Sequence, residues 1–244
     1  MIDDRVVFEG DTTTGHFIVT DTIYAGRPAR VLYSGNHHAA QSGEATDDKP
    51  ELLFDYNERF MELVRGLRPQ RVLLIGGGAF ALPKALNREF PRIKLDVVEI
   101  DGKLYELAQT YFDYKPTRRT HIYIEDGLKF LQTTTEQYDL IIVDAFTNDS
   151  VPPSLQTTTT ASLAAHHLRS GGVAAMNLIA AYYGERSAAL QRQLDAFKAA
   201  FSTIDVYPAG HGQSLWLPQN FIVIAQNGTR NLQPHLRYAA LSHE

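Results

Sequence analysis

The sequence predicts an α/β fold built on an open, largely parallel sheet, and three observations carry that prediction. From residue 71 onward short apolar runs alternate with amphipathic stretches, the pattern of strands followed by helices. One of the runs, residues 139–143 (Asp-Leu-Ile-Ile-Val), is almost wholly apolar, as a central strand buried on both faces requires. The first run ends in Gly76, Gly77 and Gly78, and the second ends in a carboxylate about 20 residues later, the spacing at which an acid meets ribose hydroxyls. Strand, glycine turn, helix and strand in that order point to an adenosine-containing cofactor.

Along the chain, residues 16–20 and 30–33 read as short strands around the turn-rich segment 21–28, and 43–50 is polar and loop-like. Residues 1–50 are therefore expected to form a small β-hairpin appendage, and 51–244 a nucleoside-binding catalytic domain. Pro50 precedes a helix over 51–64, with Leu53, Phe54, Phe60, Met61 and Val64 near helical spacing. Three strand–helix pairs follow: 72–75 with 83–90, 94–100 with 103–112, and 120–124 with 128–133. After the strand at 139–143 come a helix over 160–168 stopped by Gly171 and Gly172, a strand at 173–178, a helix over 187–201, and strands at 204–207 and 221–225. The tail from Gln226 is polar and expected to be mobile.

Composition narrows the function. With 244 residues and 44% hydrophobic content the chain can fill a sizeable core. It has no cysteine, which excludes disulfides, thiolate zinc sites and cysteine nucleophiles. The start of the chain lacks a basic and then apolar leader, and no run of about 18 apolar residues occurs, so a soluble, cytoplasmic protein without membrane contact is expected. A formal charge of −5 at pH 7 disfavours nucleic acid and allows a cationic substrate.

Parallel sheets bind ligands beyond the carboxyl ends of their strands. Those ends carry Gly76 to Gly78, Glu99 and Asp101, Glu125 to Gly127, Asp144, and Asn177. Glu99, Asp126 and Asp144 read as functional; Asp101 and Glu125 read as the acids that commonly end strands and cap helices. The adjacent pairs His37–His38 and His166–His167 point to different faces, so neither is a two-ligand clamp and no metal is expected. Ser150 and the threonines at 157–160 have no attendant His and Asp at hydrolase spacing. Trp216 reads as a packing residue, with a place in a substrate pocket as the other reading. Phe80, just after the turn, is bulky enough to fill the hollow, in which case the nucleoside reading fails.

Taken together, Ile75-Gly-Gly-Gly78, Val98-Glu-Ile-Asp101, Glu125-Asp-Gly-Leu-Lys-Phe-Leu131 and Tyr138-Asp-Leu-Ile-Ile-Val-Asp144 resemble the spermidine synthase family of polyamine aminopropyltransferases. The likeness runs through most of 71–178, and Gly26, Leu32 and Gln41-Ser42 ahead of Tyr56-Asn57-Glu58 look like that family's small β domain in shortened form. It implies the class I methyltransferase-like (Rossmann-type) fold, a seven-stranded sheet whose last strand is antiparallel. It further implies that Gly76, Gly77 and Gly78 pass near the aminopropyl or methionine portion of decarboxylated S-adenosylmethionine or S-adenosylmethionine. Glu99 would hold the ribose hydroxyls, Ile100 would lie beside the adenine, and Asp126 with Gly127 would contact the adenine edge. Asp144 takes the position of the proton acceptor, Tyr56 that of a tyrosine on the amine side, and a homodimer is implied. On the residues alone, Tyr56 reads equally as a packing residue of its helix.

The departures concern the acceptor. The family's Gly-Gly-Gly-Asp-Gly-Gly continues here as Ala79-Phe80-Ala81, the second aspartate of its Asp-Ser-Ser-Asp loop is Thr147, and the histidine or glutamine after the pocket tyrosine is Asn57. An early glutamine has no counterpart around Gly15. Asp149 or Glu58 would have to replace the missing charge for ordinary diamine recognition. The run Asp144-Ala-Phe with Val151-Pro-Pro-Ser-Leu155 resembles a divergent spermidine synthase-like branch. Three readings stand: aminopropyl transfer to a small amine, methyl transfer from intact S-adenosylmethionine, and a non-catalytic nucleoside-binding or dimerisation module.

Overall fold

The computed structural model describes residues 4–35, 39–47, 52–147, 150–210, 212–228 and 241. His37, His38, Pro50, Glu51 and Asp149 lie outside the described residues, as does the tail beyond 228 apart from Leu241. The described residues contain two sheets. The first contains β1 (Arg5–Asp11), β2 (His16–Tyr24), β3 (Arg27–Ser34) and β4 (Ala39–Ala45), antiparallel and in chain order. Sequence reading anticipates only its two central strands. Those strands bury Phe17, Val19, Val31 and Leu32, whereas β4 reads Ala-Ala-Gln-Ser-Gly-Glu-Ala and carries no apolar alternation. Pairing with β3 across a bulge at Leu32/Tyr33 makes it a strand.

The second sheet holds β5 (Arg71–Ile75), β6 (Lys94–Glu99), β7 (Thr120–Ile124), β8 (Tyr138–Val143), β9 (Leu168–Ala180), β10 (Thr203–Pro208) and β11 (Gln219–Gln226). Their spatial order is β10-β11-β9-β8-β5-β6-β7; the five strands from β5 to β9 are parallel, and β11 runs antiparallel to both its neighbours. This is the class I methyltransferase-like arrangement. Among the described residues six α-helices accompany it: α1 (Asp55–Leu67), α2 (Ala81–Glu89), α3 (Gly102–Tyr111), α4 (Gly127–Thr133), α5 (Thr158–His167) and α6 (Ala188–Lys198). β9 begins five residues before its expected start and runs through Gly171 and Gly172. Leu168, which caps α5, is already extended (φ −85°, ψ 135°), so the helix passes straight into the strand and the glycines stop nothing.

One face of the sheet packs Val72, Leu74, Leu95 and Val97 with α1 and α2 residues such as Phe60, Met61, Leu82 and Leu86. The other packs Leu73, Ile141 and Val143 with Phe130, Leu131, Ala161 and Leu190. A smaller cluster joins the two sheets: Phe17, Val19 and Leu32 meet Ala79, Leu104, Leu107 and Phe112. Near the amino ends of the strands, fully buried Asp96 accepts from Arg71 Nη2 (2.8 Å) and Tyr138 Oη (3.0 Å) and meets His121 Nδ1 (3.1 Å), tying β5, β6, β7 and β8 together. A buried carboxylate needs such partners. Chain order reverses between β5 and β8, so the carboxyl ends of these two strands form the crevice where open α/β sheets take ligands.

Candidate active site

The glycine turn at the end of β5 exists because no side chain fits there. Gly76 has φ +101° and Gly78 φ +54°, and a Cβ on Gly76 would lie 2.2 Å from the carbonyl oxygen of Asp144. The exits of β5 and β8 therefore touch through backbone, and the amide of Asp144 donates to Ile75 O at 2.8 Å. Gly78 faces β4, where its Cβ would come within 3.2 Å of the Ser42 side chain.

A cavity of about 190 Å³ opens at this crevice. At ~30 Å³ per water, that volume alone corresponds to about six water molecules. Gly76, Gly77, Gly78, Glu99, Ile100, Asp126, Gly127, Asp144 and Tyr56 all line it. Glu58 does not. It lies on α1 with its carboxylate accepting from Arg65 Nη1 at 3.2 Å, because the helix turns position 58 away from the cavity that positions 56 and 57 face. Phe80 leaves the hollow open: it is fully buried against Tyr114 and Tyr105, at ring separations of 4.7 and 5.3 Å. Trp216 neither lines the cavity nor packs inside the protein; it is 65% exposed and rests on Tyr183.

Glu99, buried at the end of β6, accepts from Gly77 N (2.7 Å), Gly78 N (3.2 Å) and Asp101 N (2.9 Å). Burial raises its pKa, and the three amide hydrogen bonds only partly oppose that. Asp126 caps α4 by accepting from Lys129 N at 2.9 Å, so the functional and the capping readings meet in one residue. Asp101 caps α3 through Lys103 N (3.0 Å) and also holds the β1–β2 turn, accepting from Thr14 N (3.0 Å) and Thr14 Oγ1 (2.7 Å). Burial alone would raise its pKa, yet the bonds from Thr12, Thr14 and Lys103 bring the net value below the ordinary carboxylate range.

On the other lip, Asp144 Oδ1 accepts from Asn177 Nδ2 at 2.9 Å, and Asn177 Oδ1 accepts from Asn220 Nδ2 at 2.9 Å. Burial pushes the Asp144 pKa up to about 6, with the Asn177 bond opposing. Tyr56 donates to Gln41 O at 3.2 Å, and burial, reinforced by the nearby charge of Asp144, raises its pKa well above the ordinary value. Asn57 is 2% exposed, lines the cavity beside Tyr56, and has a side-chain oxygen with no hydrogen-bond partner among the described residues.

Thr14, Gln41, Ser42, Asn57 and Asn177 are site residues that sequence reasoning did not assign. Asn177 was visible as a strand end; the first three come from the four-stranded sheet, whose docking across the crevice no local pattern reveals. His167 is a packing residue, its ring nitrogens 3.1 and 2.9 Å from the carbonyl oxygens of Glu136 and Leu131. Among the described residues no cluster of three histidine or acidic side chains could hold a metal ion, and no helix is long and apolar enough to cross a membrane.

A family model described as the spermine/spermidine synthase domain matches residues 53–210. A polyamine aminopropyltransferase of Vibrio vulnificus (strain CMCP6) is 32% identical over 93 residues, covering 37% of this chain and 31% of that protein. One of Clostridium beijerinckii is 28% identical over 171 residues, covering 65% and 60%. The mouse eEF1A lysine and N-terminal methyltransferase is 30% identical over 124 residues, 49% of this chain and 16% of its own length. The chain thus spans less than two thirds of each of these relatives. Among solved structures, a probable spermidine synthase from Corynebacterium glutamicum superposes with a TM-score of 0.76 at 18% identity, covering 90% of this chain and 79% of that one. Human methyltransferase-like protein 13 with SAH gives 0.61 at 21% identity, covering 78% and 96%. At such identities the structural likeness speaks for the fold alone.

Proposed function

Because the chain belongs to the spermine/spermidine synthase domain family, we propose that it transfers an aminopropyl group from decarboxylated S-adenosylmethionine to a small amine. One observation carries this reading: the half-buried carboxylate of Asp144 stands across bare glycine backbone from Glu99, within a single cavity. The residues fit the nucleoside. Gly76, Gly77 and Gly78 let a ligand approach the main chain, and Glu99 offers acceptor oxygens for ribose hydroxyls. Ile100 offers an apolar lip for the adenine, and Asp126 with Gly127 offers an edge for its polar atoms.

When bound, the cofactor would supply an electrophilic carbon next to a sulfonium sulfur. Asp144 attracts the cationic amine and takes its proton, because a protonated nitrogen has no lone pair with which to attack. With its pKa near 6, the carboxylate is ionised at neutral pH yet remains basic enough to accept. Asn177 is a positioning residue: its amide fixes one Asp144 oxygen and leaves the other free to face the cavity. Tyr56 closes the amine side and excludes water. A homodimer in the cytoplasm belongs to the same proposal, and light scattering checks the dimer.

A second reading, methyl transfer from intact S-adenosylmethionine, is favoured by the methyltransferase relative and by Ala79, which is buried in the apolar cluster between the sheets and places no acid near the methionine carboxylate. Calorimetric titration separates the readings. Tighter binding of the decarboxylated cofactor supports aminopropyl transfer, tighter binding of the intact one supports methyl transfer, and saturable binding of neither leaves a non-catalytic module.

A further inference from the structure

The charge in the cavity is distributed unevenly. Among the described residues four carboxylates line it: Glu99 beyond β6, Glu125 and Asp126 beyond β7, and Asp144 beyond β8. Since β6 and β8 flank β5, Glu99 is two strand spacings from Asp144, ~10 Å, and the Asp126 carboxylate is engaged in capping α4 through Lys129 N. Glu99 also already serves three backbone amides. Around Asp144 the described lining is uncharged: Tyr56, Asn57, Ala145, Phe146, Pro152 and Leu155. The two acids of α1 nearest in sequence turn elsewhere, Asp55 toward Gly210 and Glu58 toward Arg65. Among the described residues, then, no second carboxylate stands beside Asp144 to partner a second ammonium as it leaves water, which is strongly unfavourable.

Against this, Asn57 presents a buried carbonyl oxygen that lacks a donor. Buried acceptors are almost always satisfied, and since Asn57 is a lining residue of the cavity, a donor from a ligand there can complete this one. A carboxylate at this place would hold an amine in its protonated, unreactive form; a neutral carbonyl accepts an N–H without doing so.

We propose, resting on the aminopropyl-transfer reading, that the acceptor is a primary amine with a single positive charge on an apolar chain, and that Asn57 selects it by accepting an N–H from the attacking nitrogen. The proton of the ammonium passes to Asp144. The nitrogen lone pair then forms the bond to the carbon beside sulfur, the carbon–sulfur bond breaks, and its electron pair stays on sulfur as a neutral thioether. Meanwhile Asn57 holds one of the remaining N–H bonds, and Phe146, Pro152 and Leu155 cover the chain.

Calorimetry on the full chain at pH 8 tests this in two stages. 5′-Methylthioadenosine is titrated first; no binding removes the nucleoside reading and this inference with it. With that nucleoside saturating, n-pentylamine is compared with 1,4-diaminobutane. The monoamine is expected to bind at least about tenfold more tightly. Asn57→Asp should reverse the order by supplying the second negative charge, and Asn57→Leu should weaken n-pentylamine about tenfold. If the nucleoside binds but the diamine equals or exceeds the monoamine in the unmodified protein, or neither amine binds, the inference is overturned and the nucleoside reading survives.

Discussion

Single side chains set the chemistry, and Asp144 makes the sharpest prediction. Its folded-state pKa of about 6 lies above the ~3.9 of an unfolded aspartate, so folding disfavours its charged form. The stability contribution is present below pH ~4 and is lost as pH rises through about 6. Asp144→Asn should therefore gain on the order of 2 kcal/mol above pH 7, discounted for the solvent that reaches the cavity, with Tm rising ~4–8 °C at pH 8 and unchanged at pH 4. Turnover in the same variant should fall ~10²–10⁴-fold. Asn177→Leu removes the donor that lowers the Asp144 pKa, so the acid limb of the rate–pH profile should move upward; an unmoved limb would separate Asn177 from the carboxylate. Glycine positions divide by what surrounds them. Gly76→Ala drives a methyl group into the Asp144 backbone and should cost ~3 kcal/mol or more, whereas Gly26→Ala, at φ +81° with open space around it, should cost only ~1 kcal/mol in denaturant titrations. Gly76, Glu99 and Asp144 could be read from the sequence because strand ends and glycine turns are local signals. The place of Glu58 could not, since the face of a helix that meets a cavity depends on what packs beside it.

At the scale of elements, legibility follows burial. β5, β6 and β8 sit inside the sheet and read directly as apolar runs, while β1 and β4 are edge strands whose mixed polarity resembles loop. The β1–β2 turn illustrates what local pattern cannot reach: Thr14 grips Asp101 at the amino end of α3, 87 residues away, and so becomes part of the cavity wall. Thr14→Val keeps the Asp101 cap and removes the hydroxyl donor. Hydrogen exchange at residues 12–15 should then accelerate, and nucleoside affinity should fall by up to about tenfold; unchanged protection would mean that the Thr14 amide alone holds the turn.

For the molecule as a whole, the cavity is where the two sheets meet, and ligand binding should tighten both. Nucleoside at 100 times its Kd should add ~2.7 kcal/mol of stability and raise Tm by ~5–10 °C. Exchange protection should increase in β2 and β4 as well as at the glycine turn. Protection confined to the larger sheet would mean that the smaller one only abuts the site. The overall α/β plan was legible because a parallel sheet announces itself through repeated local units; the joint was not, because Phe17 and Leu32 meet Leu104 and Leu107 only after both sheets exist. That joint separates two kinds of inheritance. The carboxylate proposed as proton acceptor and the glycine turn belong to the larger sheet, while Thr14, Gln41 and Ser42 come from the smaller one, so exchanging that sheet between relatives should retune ligand choice while leaving the proposed reaction intact.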